Sequence, residues 1–409
     1  MKRVVITGAG VVSPVGNDAA AFFDSLIRGV CGIGPITRFD TSGYKARMAG
    51  EVKDFDPQAA GIDRAQAKRT DLFAQYAMAA AMQAVADSGI EGRIAPERFG
   101  VYVGSGIGGM QTFVQETEKL LNRGPTRVSP FFIPMMIGNM AAGNIAIRFN
   151  AQGPCLPVVT ACATSSHAIG EAFRAIKYGH ADAIIAGGAE ATIVPLAVAG
   201  FSNMKALSES EDPNAASLPF DARRGGFVMG EGSGIVVLEE YEHAVSRGAK
   251  IYAEVCGYGN TCDAYHITAP HAEAVGATNA IRLALEEANW QGEKLYINAH
   301  GTGTPMNDKV ETLAIKKALG EDAARAALIS STKSMTGHML GAAGAVEAVA
   351  CAFALKQGIV PPTIHLEQPD PECDLNYVPN EAVKADIEMA VSSSLGFGGH
   401  NAVVAFRRA

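Results

Sequence analysis

Short runs of apolar and β-branched residues alternate with longer stretches rich in alanine along the whole chain. This alternation of strand-like and helix-like patterns is typical of α/β proteins with mixed or mostly parallel sheets. Ten runs predict strands: Arg3–Thr7, Phe99–Val103, Leu156–Thr160, Ala183–Ala186, Gly234–Glu239, Ile251–Tyr258, Leu295–Ala299, Ala327–Ser331, Val391–Ser394 and Ala402–Phe406. The pattern therefore predicts an α/β fold.

Two predicted helices carry small apolar residues on every side. The first covers Cys162–Tyr178 and the second covers Gly341–Gln357, and each is followed directly by a glycine. Glycine just past the last turn is a common helix end, and a helix that is apolar all round is a buried one. We therefore expect one central buried helix in each half of the chain.

The halves also resemble each other ahead of these helices. Gly100–Gly106 and Tyr296–Gly303 are both apolar runs that end in a glycine-rich turn. Together with the paired helices, this internal similarity predicts a duplicated layered core with halves at residues 1–249 and 250–409.

Composition excludes several classes of protein. The 409 residues include 34 basic and 42 acidic side chains, for a net charge of −8, and no long basic run, which argues against a dedicated nucleic-acid binder. No apolar run reaches about 18 residues, so no membrane span is predicted. The first residues lack the pattern of a secretion signal, so a cytoplasmic location is expected. Seven cysteines without a Cys-x-x-Cys pair predict free thiols and no metal site.

Cys162 is the first candidate for chemistry. It lies between an apolar run and the first buried helix, where unpaired N–H groups and the helix dipole stabilise a thiolate and can bind an oxyanion. The alternative is a buried structural cysteine, which we expect for the other six. The residues around Cys162 leave both interpretations open.

His300 and His338 each follow a predicted strand and lie in a turn rich in glycine and threonine. The ends of strands are where α/β proteins place functional groups. A lone histidine is more often a satisfied turn residue, but two in matching places, with Lys333 close to the second, predict a composed site.

Two further segments qualify as parts of that site. Asp308 and Glu311 begin a predicted helix, where acidic side chains are favourable, and one of them is also a candidate partner for Lys333. Gly396–Asn401 is a glycine-dense turn that can bring backbone N–H groups close to a ligand, as an oxyanion contact requires.

A dinucleotide site is the main competing interpretation. Gly104–Gly109 matches the spacing G-x-G-x-x-G after a strand. The following stretch, 110–127, is predicted as helix and loop without the second strand and acidic residue of a nicotinamide-binding fold, so NAD binding is disfavoured.

Taken together, these motifs resemble the β-ketoacyl-[acyl-carrier-protein] synthases, in particular the type II enzymes of bacterial fatty acid synthesis. The resemblance runs from residue 3 to residue 406. It is carried by Thr160–Thr164, Pro219–Asp221 with Gly225–Gly234, Asp263–Thr268, His300–Pro305, Lys333–His338 and Gly396–Gly399.

The resemblance implies a thiolase fold, a five-layered αβαβα arrangement of two similar halves, as a homodimer. It implies Cys162 as the nucleophile and His300 and His338 as the pair that serves decarboxylation. Lys333 matches the lysine near the second histidine. Phe397 matches the residue that gates the nucleophile and shares its oxyanion hole. Two acids match supporting positions, Glu311 beside the lysine and Asp308 on the same helix.

The implied reaction joins an acyl group on Cys162 to malonyl-carrier protein by decarboxylative Claisen condensation in fatty acid elongation. Acyl-carrier protein is the implied partner, its phosphopantetheine carries the substrates, and no metal or other cofactor is expected. Implied substrate contacts are Thr302, Thr304, Thr268, Ile107 and Phe201. Implied docking charges for the acidic carrier are Arg64, Lys68, Arg69 and Lys205.

Relatives with other chemistry fit less well. A chain-length factor lacks the nucleophile that Cys162 supplies, a thiolase needs a second cysteine that the Gly396–Gly399 turn does not have, and chalcone-synthase-type enzymes have asparagine where His338 stands. Departures from the common type II pattern at Ser165-Ser166, Gly303 and His400 leave the chain-length preference open.

Overall fold

The computed structural model describes all 409 residues, from Met1 to Ala409. The strands are β1 (Val4–Val12), β2 (Gly34–Pro35), β3 (Met48–Gly50), β4 (Phe99–Gly104), β5 (Ala183–Glu190), β6 (Met229–Gly230), β7 (Gly232–Glu240), β8 (Ala253–Cys262), β9 (Leu295–Asn298), β10 (Leu328–Ser330), β11 (Ile359–Val360), β12 (Val383–Lys384), β13 (Met389–Gly396) and β14 (His400–Arg407). The helices are α1 (Ala19–Ile27), α2 (Arg64–Ala67), α3 (Leu72–Ser88), α4 (Met110–Arg123), α5 (Phe132–Met136), α6 (Met140–Phe149), α7 (Thr164–Lys177), α8 (Pro195–Asn203), α9 (Tyr241–Ser246), α10 (Val275–Glu287), α11 (Asn307–Leu319), α12 (Glu321–Ala326), α13 (Lys333–Thr336) and α14 (Ala343–Gln357).

Nine of the strands form one sheet in the order β10-β9-β13-β14-β8-β1-β7-β5-β4. The pairing is the same on both sides of its centre. In the first half β4 and β5 are parallel, and β5, β7 and β1 follow antiparallel to one another. In the second half β9 and β13 are parallel, and β13, β14 and β8 follow antiparallel. The topology is therefore repeated, as the internal sequence similarity predicts.

The two halves of the sheet join only between β1 and β8. Three residue pairs make this antiparallel contact: Val4 with Val255, Val5 with Glu254, and Ile6 with Ala253. The division at residue 249 stays a prediction, and β8 begins shortly after it.

Three large hydrophobic clusters fill the spaces between the layers of helices and strands. The largest contains the apolar residues of α7 and α14, which lie between the two halves of the sheet. The second packs α3 and α6 against the first half, and the third packs α10 and α11 against the second half. The order of layers is α, β, α, β, α, which confirms the predicted fold class.

Small residues let the central helices approach their neighbours closely. A Cβ on Gly344 would lie 2.0 Å from the Ser166 hydroxyl oxygen, and one on Gly170 would lie 2.2 Å from the Tyr258 ring. The apolar stretch Leu340–Gln357 is long and apolar enough to cross a membrane by length and composition, yet 89% of it is buried inside the protein. Its hydrophobic character is explained by its place in the central layer.

One predicted strand is wrong. The run Leu156–Thr160 forms no ladder with β4. A single bridge, between Cys155 and Val101, precedes the run, and the Leu156 N–H donates to the Val101 carbonyl at 3.0 Å. The segment turns away after this bond towards the Ala161–Ala163 turn, so the ladder does not continue.

Candidate active site

A single 3₁₀ turn, Ala161–Ala163, presents the Cys162 side chain at the start of α7. Ala161 has a φ of +50°, in the left-handed region, which costs a non-glycine residue about 1–2 kcal/mol. Two hydrogen bonds hold the strained turn: the Ala163 N–H donates to the Thr160 carbonyl at 3.0 Å, and the Thr160 N–H donates to the Thr164 hydroxyl at 2.9 Å. Such over-determined strain is typical of functional turns.

The glycine-dense turn Gly396–Gly399 lies directly against this nucleophile turn. A Cβ at Gly396 would be 2.7 Å from the Thr160 carbonyl oxygen and 3.3 Å from the Cys162 nitrogen, so only glycine permits the approach. The backbone N–H groups of Phe397 and of Cys162 itself act on the Cys162 sulfur and lower the pKa of its thiol. The backbone N–H groups of Cys162 and Phe397 are thereby next to each other.

Burial dominates the acidity of Cys162. It raises the pKa of the thiol to about 12, against the lowering effects of the Lys333 charge and the Phe397 N–H and with a further increase from Glu190. Burial therefore opposes the thiolate that the helix N-terminus would favour. Desolvation of the charged sulfur outweighs the nearby dipoles.

His300 and His338 face each other in the same cavity. Their ring centroids are 5.2 Å apart and their planes are nearly perpendicular, at 87°. Burial and the positive charge of Lys333 hold the pKa of both imidazoles well below the usual value, so both rings are neutral. His300 Nδ1 and both ring nitrogens of His338 have no hydrogen-bond partner within the protein.

Backbone contacts fix the positions of the two histidines. Both oxygens of the Glu311 carboxylate accept hydrogen bonds, one from the His300 N–H at 2.6 Å and one from the Gly301 N–H at 2.8 Å. The His338 N–H donates to the Val228 carbonyl at 2.7 Å. Phe227 packs its ring against His338 with centroids 5.3 Å apart.

The predicted pairing of Lys333 with Asp308 or Glu311 is wrong. Lys333 Nζ forms an ion pair with the Glu347 carboxylate of α14, and both side chains are 1% exposed. Glu311 is engaged with backbone N–H groups, and Asp308 accepts from the Phe220 N–H at 2.8 Å. Glu347 was missed by sequence reasoning, although it is the one acid within an otherwise apolar helix.

A cavity of about 380 Å³ brings most of the predicted residues together. Its lining combines the Cys162 thiol, both histidines, aromatic side chains and threonine hydroxyls, and Lys205 lies at its exposed side. The predicted site residues that line it are Cys162, Phe201, Lys205, Thr268, His300, Thr302, Thr304, His338 and Phe397. Two of the threonines also contact each other, with 3.0 Å between the Thr302 and Thr304 hydroxyl oxygens.

The remaining predicted residues lie outside the cavity lining. Lys333, Asp308 and Glu311 are buried behind it. The basic side chains of Arg64, Lys68 and Arg69 are exposed on and just after α2. No group of three His, Cys, Asp or Glu side chains is arranged to hold a metal ion.

The Gly104–Gly109 turn has its own anchor, which the sequence analysis did not identify. Glu190, at the end of β5, accepts hydrogen bonds from the Ser105 hydroxyl at 2.9 Å and from the N–H groups of Gly106, Ile107 and Gly341 at 2.9, 3.2 and 3.0 Å. Burial raises the pKa of Glu190 to about 7. The Ile107 side chain is 40% exposed and does not line the cavity. This turn holds a carboxylate and connects the halves at the start of α14.

Comparison with known proteins identifies relatives along the whole chain. The family described as Beta-ketoacyl synthase, N-terminal domain, matches residues 1–244, and Beta-ketoacyl synthase, C-terminal domain, matches residues 252–367. The 3-oxoacyl-[acyl-carrier-protein] synthase 2 of Synechocystis sp. is 53% identical, and the alignment covers 100% of this chain and 98% of the relative. The protein of the same name from Staphylococcus aureus is 51% identical with the same coverage.

Solved structures match the fold over its full length. A beta-ketoacyl synthase from Burkholderia phymatum superposes with a TM-score of 0.92 at 36% identity, covering 100% of both chains. The ishigamide ketosynthase/chain length factor superposes with a TM-score of 0.93 at 38% sequence identity, covering 100% of this chain and 99% of that chain. A type II polyketide ketosynthase solved in complex with its acyl-carrier protein superposes with a TM-score of 0.92 at 35% sequence identity, again covering 100% of this chain and 99% of that chain.

Proposed function

The chain belongs to the β-ketoacyl synthase family and is a condensing enzyme of fatty acid elongation, and from that premise we propose the role of each residue in its cavity. Cys162 accepts an acyl group from acyl-carrier protein, and the bound acyl group is joined to malonyl-carrier protein. The products are 3-oxoacyl-carrier protein and CO₂. The observation that carries this assignment is one cavity whose lining holds a thiol, two neutral imidazoles and the Gly396–Gly399 turn beside the thiol.

The first half-reaction transfers the acyl group. Cys162 Sγ attacks the thioester carbonyl, and its proton passes to the departing pantetheine sulfur, because the resting group is a thiol. Negative charge develops on the carbonyl oxygen in the tetrahedral intermediate. The adjacent N–H groups of Cys162 and Phe397 stabilise that oxyanion in a site shielded from water.

The second half-reaction removes CO₂ from the malonyl group. Neutral His300 and His338 each donate an Nε2–H to the malonyl thioester oxygen, which stabilises the enolate as the C–C bond to the carboxylate breaks. The enolate carbon then attacks the acyl carbonyl on Cys162. The released thiolate takes up one proton, so the cycle consumes one proton and produces one CO₂.

The pantetheine arm and the acyl chain occupy different parts of the cavity in this proposal. Thr302, Thr304 and Thr268 supply hydroxyl groups for the amides of the arm. Phe201 contacts the acyl chain from the cavity wall, and Ile107, which lies outside the cavity lining, limits the length of a chain that extends beyond the cavity. No cofactor beyond the phosphopantetheine of the carrier is required, because the imidazoles stabilise the enolate.

Carrier protein docks on exposed basic side chains. Arg64, Lys68 and Arg69 form one exposed cluster, and Lys205 stands at the cavity wall. The protein as a whole carries a net charge of −8, so an acidic partner requires such a local positive surface. The complex of a related ketosynthase with its acyl-carrier protein supports this partner.

We also propose a homodimer in the cytoplasm. Apolar side chains are exposed along the β4 edge of the sheet, where Leu156 and Val159 are 47% and 60% exposed. Ile133 and Ile147, on the neighbouring helices, are 54% and 79% exposed. A two-fold contact between copies of this chain across that edge would remove this apolar surface from water.

The half-reactions can be separated by residue. Cys162→Ala should abolish the acyl-enzyme seen by mass spectrometry and still release CO₂ from malonyl-carrier protein. His300→Ala and His338→Ala should keep acyl-enzyme formation and lower CO₂ release by about 10²–10³-fold, the usual effect of removing one oxyanion donor. Wild-type CO₂ release in either histidine variant contradicts its proposed role.

A further inference from the structure

One segment of the first half forms hydrogen bonds with both turns of the second half that contain His300 and His338. This segment, Ser217–Gly230, contacts the Lys333–His338 turn at both of its ends. The Ser217 hydroxyl donates to the Lys333 carbonyl at 2.8 Å. At the other end the Gly230 N–H donates to the His338 carbonyl at 2.8 Å, next to the bond from the His338 N–H to Val228. Three hydrogen bonds therefore fix the second histidine turn.

The middle of the same segment lies against the His300–Asn307 turn. The Gly226 N–H donates to the Gly303 carbonyl at 3.1 Å. Phe220, with a φ of +65°, stacks its ring on Tyr377 at 3.8 Å, and its N–H donates to the buried Asp308 carboxylate. Asp308 also accepts from the Gly303 N–H at 3.2 Å.

Arg224 is the side chain that ties this middle region together. Its Nε donates to the Thr304 carbonyl at 3.1 Å and its Nη2 donates to the Pro305 carbonyl at 3.1 Å. Its Nη1 donates to the Asp370 carboxylate at 2.6 Å and to the carbonyl of Asp221 at 3.0 Å. The side chain is 5% exposed, and its Nε lies 3.9 Å from the Asp308 carboxylate. One planar guanidinium thus binds two consecutive carbonyls of the turn and a carboxylate on a third segment.

Those two carbonyls belong to the same turn as the threonine hydroxyl groups of the cavity. Thr302 and Thr304 line the cavity, whereas Arg224 does not. With the Thr304 and Pro305 carbonyls fixed outward on Arg224, the hydroxyl groups of the turn face the cavity. Loss of Arg224 would leave the partly buried Thr304 carbonyl and the Pro305 carbonyl without their donors and free the turn to rotate.

We propose that Arg224 is a positioning residue that sets the Thr302–Pro305 turn for the pantetheine arm of both substrates. It acts through the turn without contacting substrate. The inference rests on the proposed function, because it assumes that a pantetheine thioester occupies the cavity.

Neighbouring Arg223 offers a matched control. It pairs with the Asp221 and Glu367 carboxylates and donates to the His365 carbonyl, and it forms no hydrogen bond with the Thr302–Pro305 turn. Arg223→Met and Arg224→Met remove the same charge one residue apart, and Arg224→Lys keeps the charge.

The experiment measures KM and kcat with soluble acyl- and malonyl-pantetheine, which bypass carrier docking, alongside the rate of Cys162 alkylation by iodoacetamide. Arg224→Met should raise KM for both thioesters at least tenfold with a smaller change in kcat. Arg224→Lys should restore part of the loss, and Arg223→Met should stay within twofold of wild type. Alkylation should stay within twofold in every variant, because the nucleophile turn is held by other bonds.

Three results would overturn the inference: an unchanged KM in Arg224→Met, an equal rise in Arg223→Met, or a large increase in Cys162 alkylation together with the rise in KM, which would mean a loss of the fold that buries the thiol. Failure of the proposed function is distinguishable, because the wild-type protein itself would then not turn over either thioester.

Discussion

The Lys333 ammonium and the Glu347 carboxylate pair in the interior of the protein, where both side chains are almost fully removed from water. The same ammonium lowers the pKa values of Cys162, His300 and His338. One buried cation therefore favours deprotonation of the thiol and keeps both imidazoles neutral. Glu347 holds that cation in place from the central helix.

Breaking this ion pair from one side should destabilise the protein. Lys333→Met leaves the Glu347 carboxylate buried without a cation and should cost about 3–5 kcal/mol of the free energy of unfolding. The double variant Lys333→Met/Glu347→Met should recover much of that loss, because no unpaired charge remains. Urea unfolding of the three proteins measures this. A single variant within about 1 kcal/mol of wild type would contradict the buried pairing.

The reactivity of Cys162 should rise steadily with pH. Its pKa is raised to about 12, so the thiol predominates at neutral pH and the thiolate fraction grows about tenfold per pH unit up to that value. Iodoacetamide alkylation of Cys162, followed by peptide mass spectrometry, should therefore show no plateau between pH 7 and 9.5. Lys333→Met removes the charge that lowers the pKa, so its alkylation should be slower than wild type at each pH. A plateau near pH 8 would show an acidic thiol instead.

Charge reversal on the α2 cluster should weaken carrier binding selectively. Lys68→Glu with Arg69→Glu should raise KM for carrier-bound substrates much more than for pantetheine thioesters. The difference should shrink with salt, since exposed charges are screened over about 8 Å at 0.15 M ionic strength.

Lys294→Glu with Lys384→Glu makes the same charge change at exposed positions in the second half and should have little effect on either substrate. Equal losses on carrier-bound and pantetheine substrates would remove the α2 cluster from the docking surface.

Ile107 provides a test of chain-length control. Ile107→Phe should shorten the longest acyl group accepted, because a larger ring would fill the space that the acyl chain needs. The effect is measured as the chain lengths of the products formed from a mixture of acyl-carrier proteins. Leu121→Phe is the control, because Leu121 is 78% exposed on α4. Ile107 lies outside the lining of the cavity in the single chain, so an unchanged product profile would assign it to the surface alone.

Local sequence patterns predicted most of the helices and strands but few of the side-chain contacts between distant segments. The structure contains nine of the ten predicted strands and both central helices. These elements could be predicted because they depend on hydrophobic periodicity and on glycines at helix ends, which are properties of neighbouring residues. The pairing of Lys333 with Glu347 depends on how a turn packs on a helix. The raised pKa of Cys162 depends on burial by several segments. Both are tertiary properties, and short sequence windows do not contain them.

The difference between local and tertiary properties also explains why the strand predicted at Leu156–Thr160 is wrong. Its composition is that of a strand, but its neighbours in space take it into the nucleophile turn after one bridge to β4. Glu190 was missed for a related reason. A single acid at the end of an apolar strand becomes informative only when the Gly104–Gly109 turn and Gly341 are seen to surround it.

The shared central layer has a consequence for synthesis. Helix α7 packs in the same hydrophobic cluster as α14, which lies more than 160 residues further along the chain. On the ribosome the first half emerges with the part of α7 that faces α14 uncovered, and it stays so until residues 343–357, at the start of the last sixth of the chain, have been made. This interval exposes the nascent chain to aggregation and makes chaperone protection valuable. Enzymatic activity cannot appear earlier, because His300 and His338 are themselves made late.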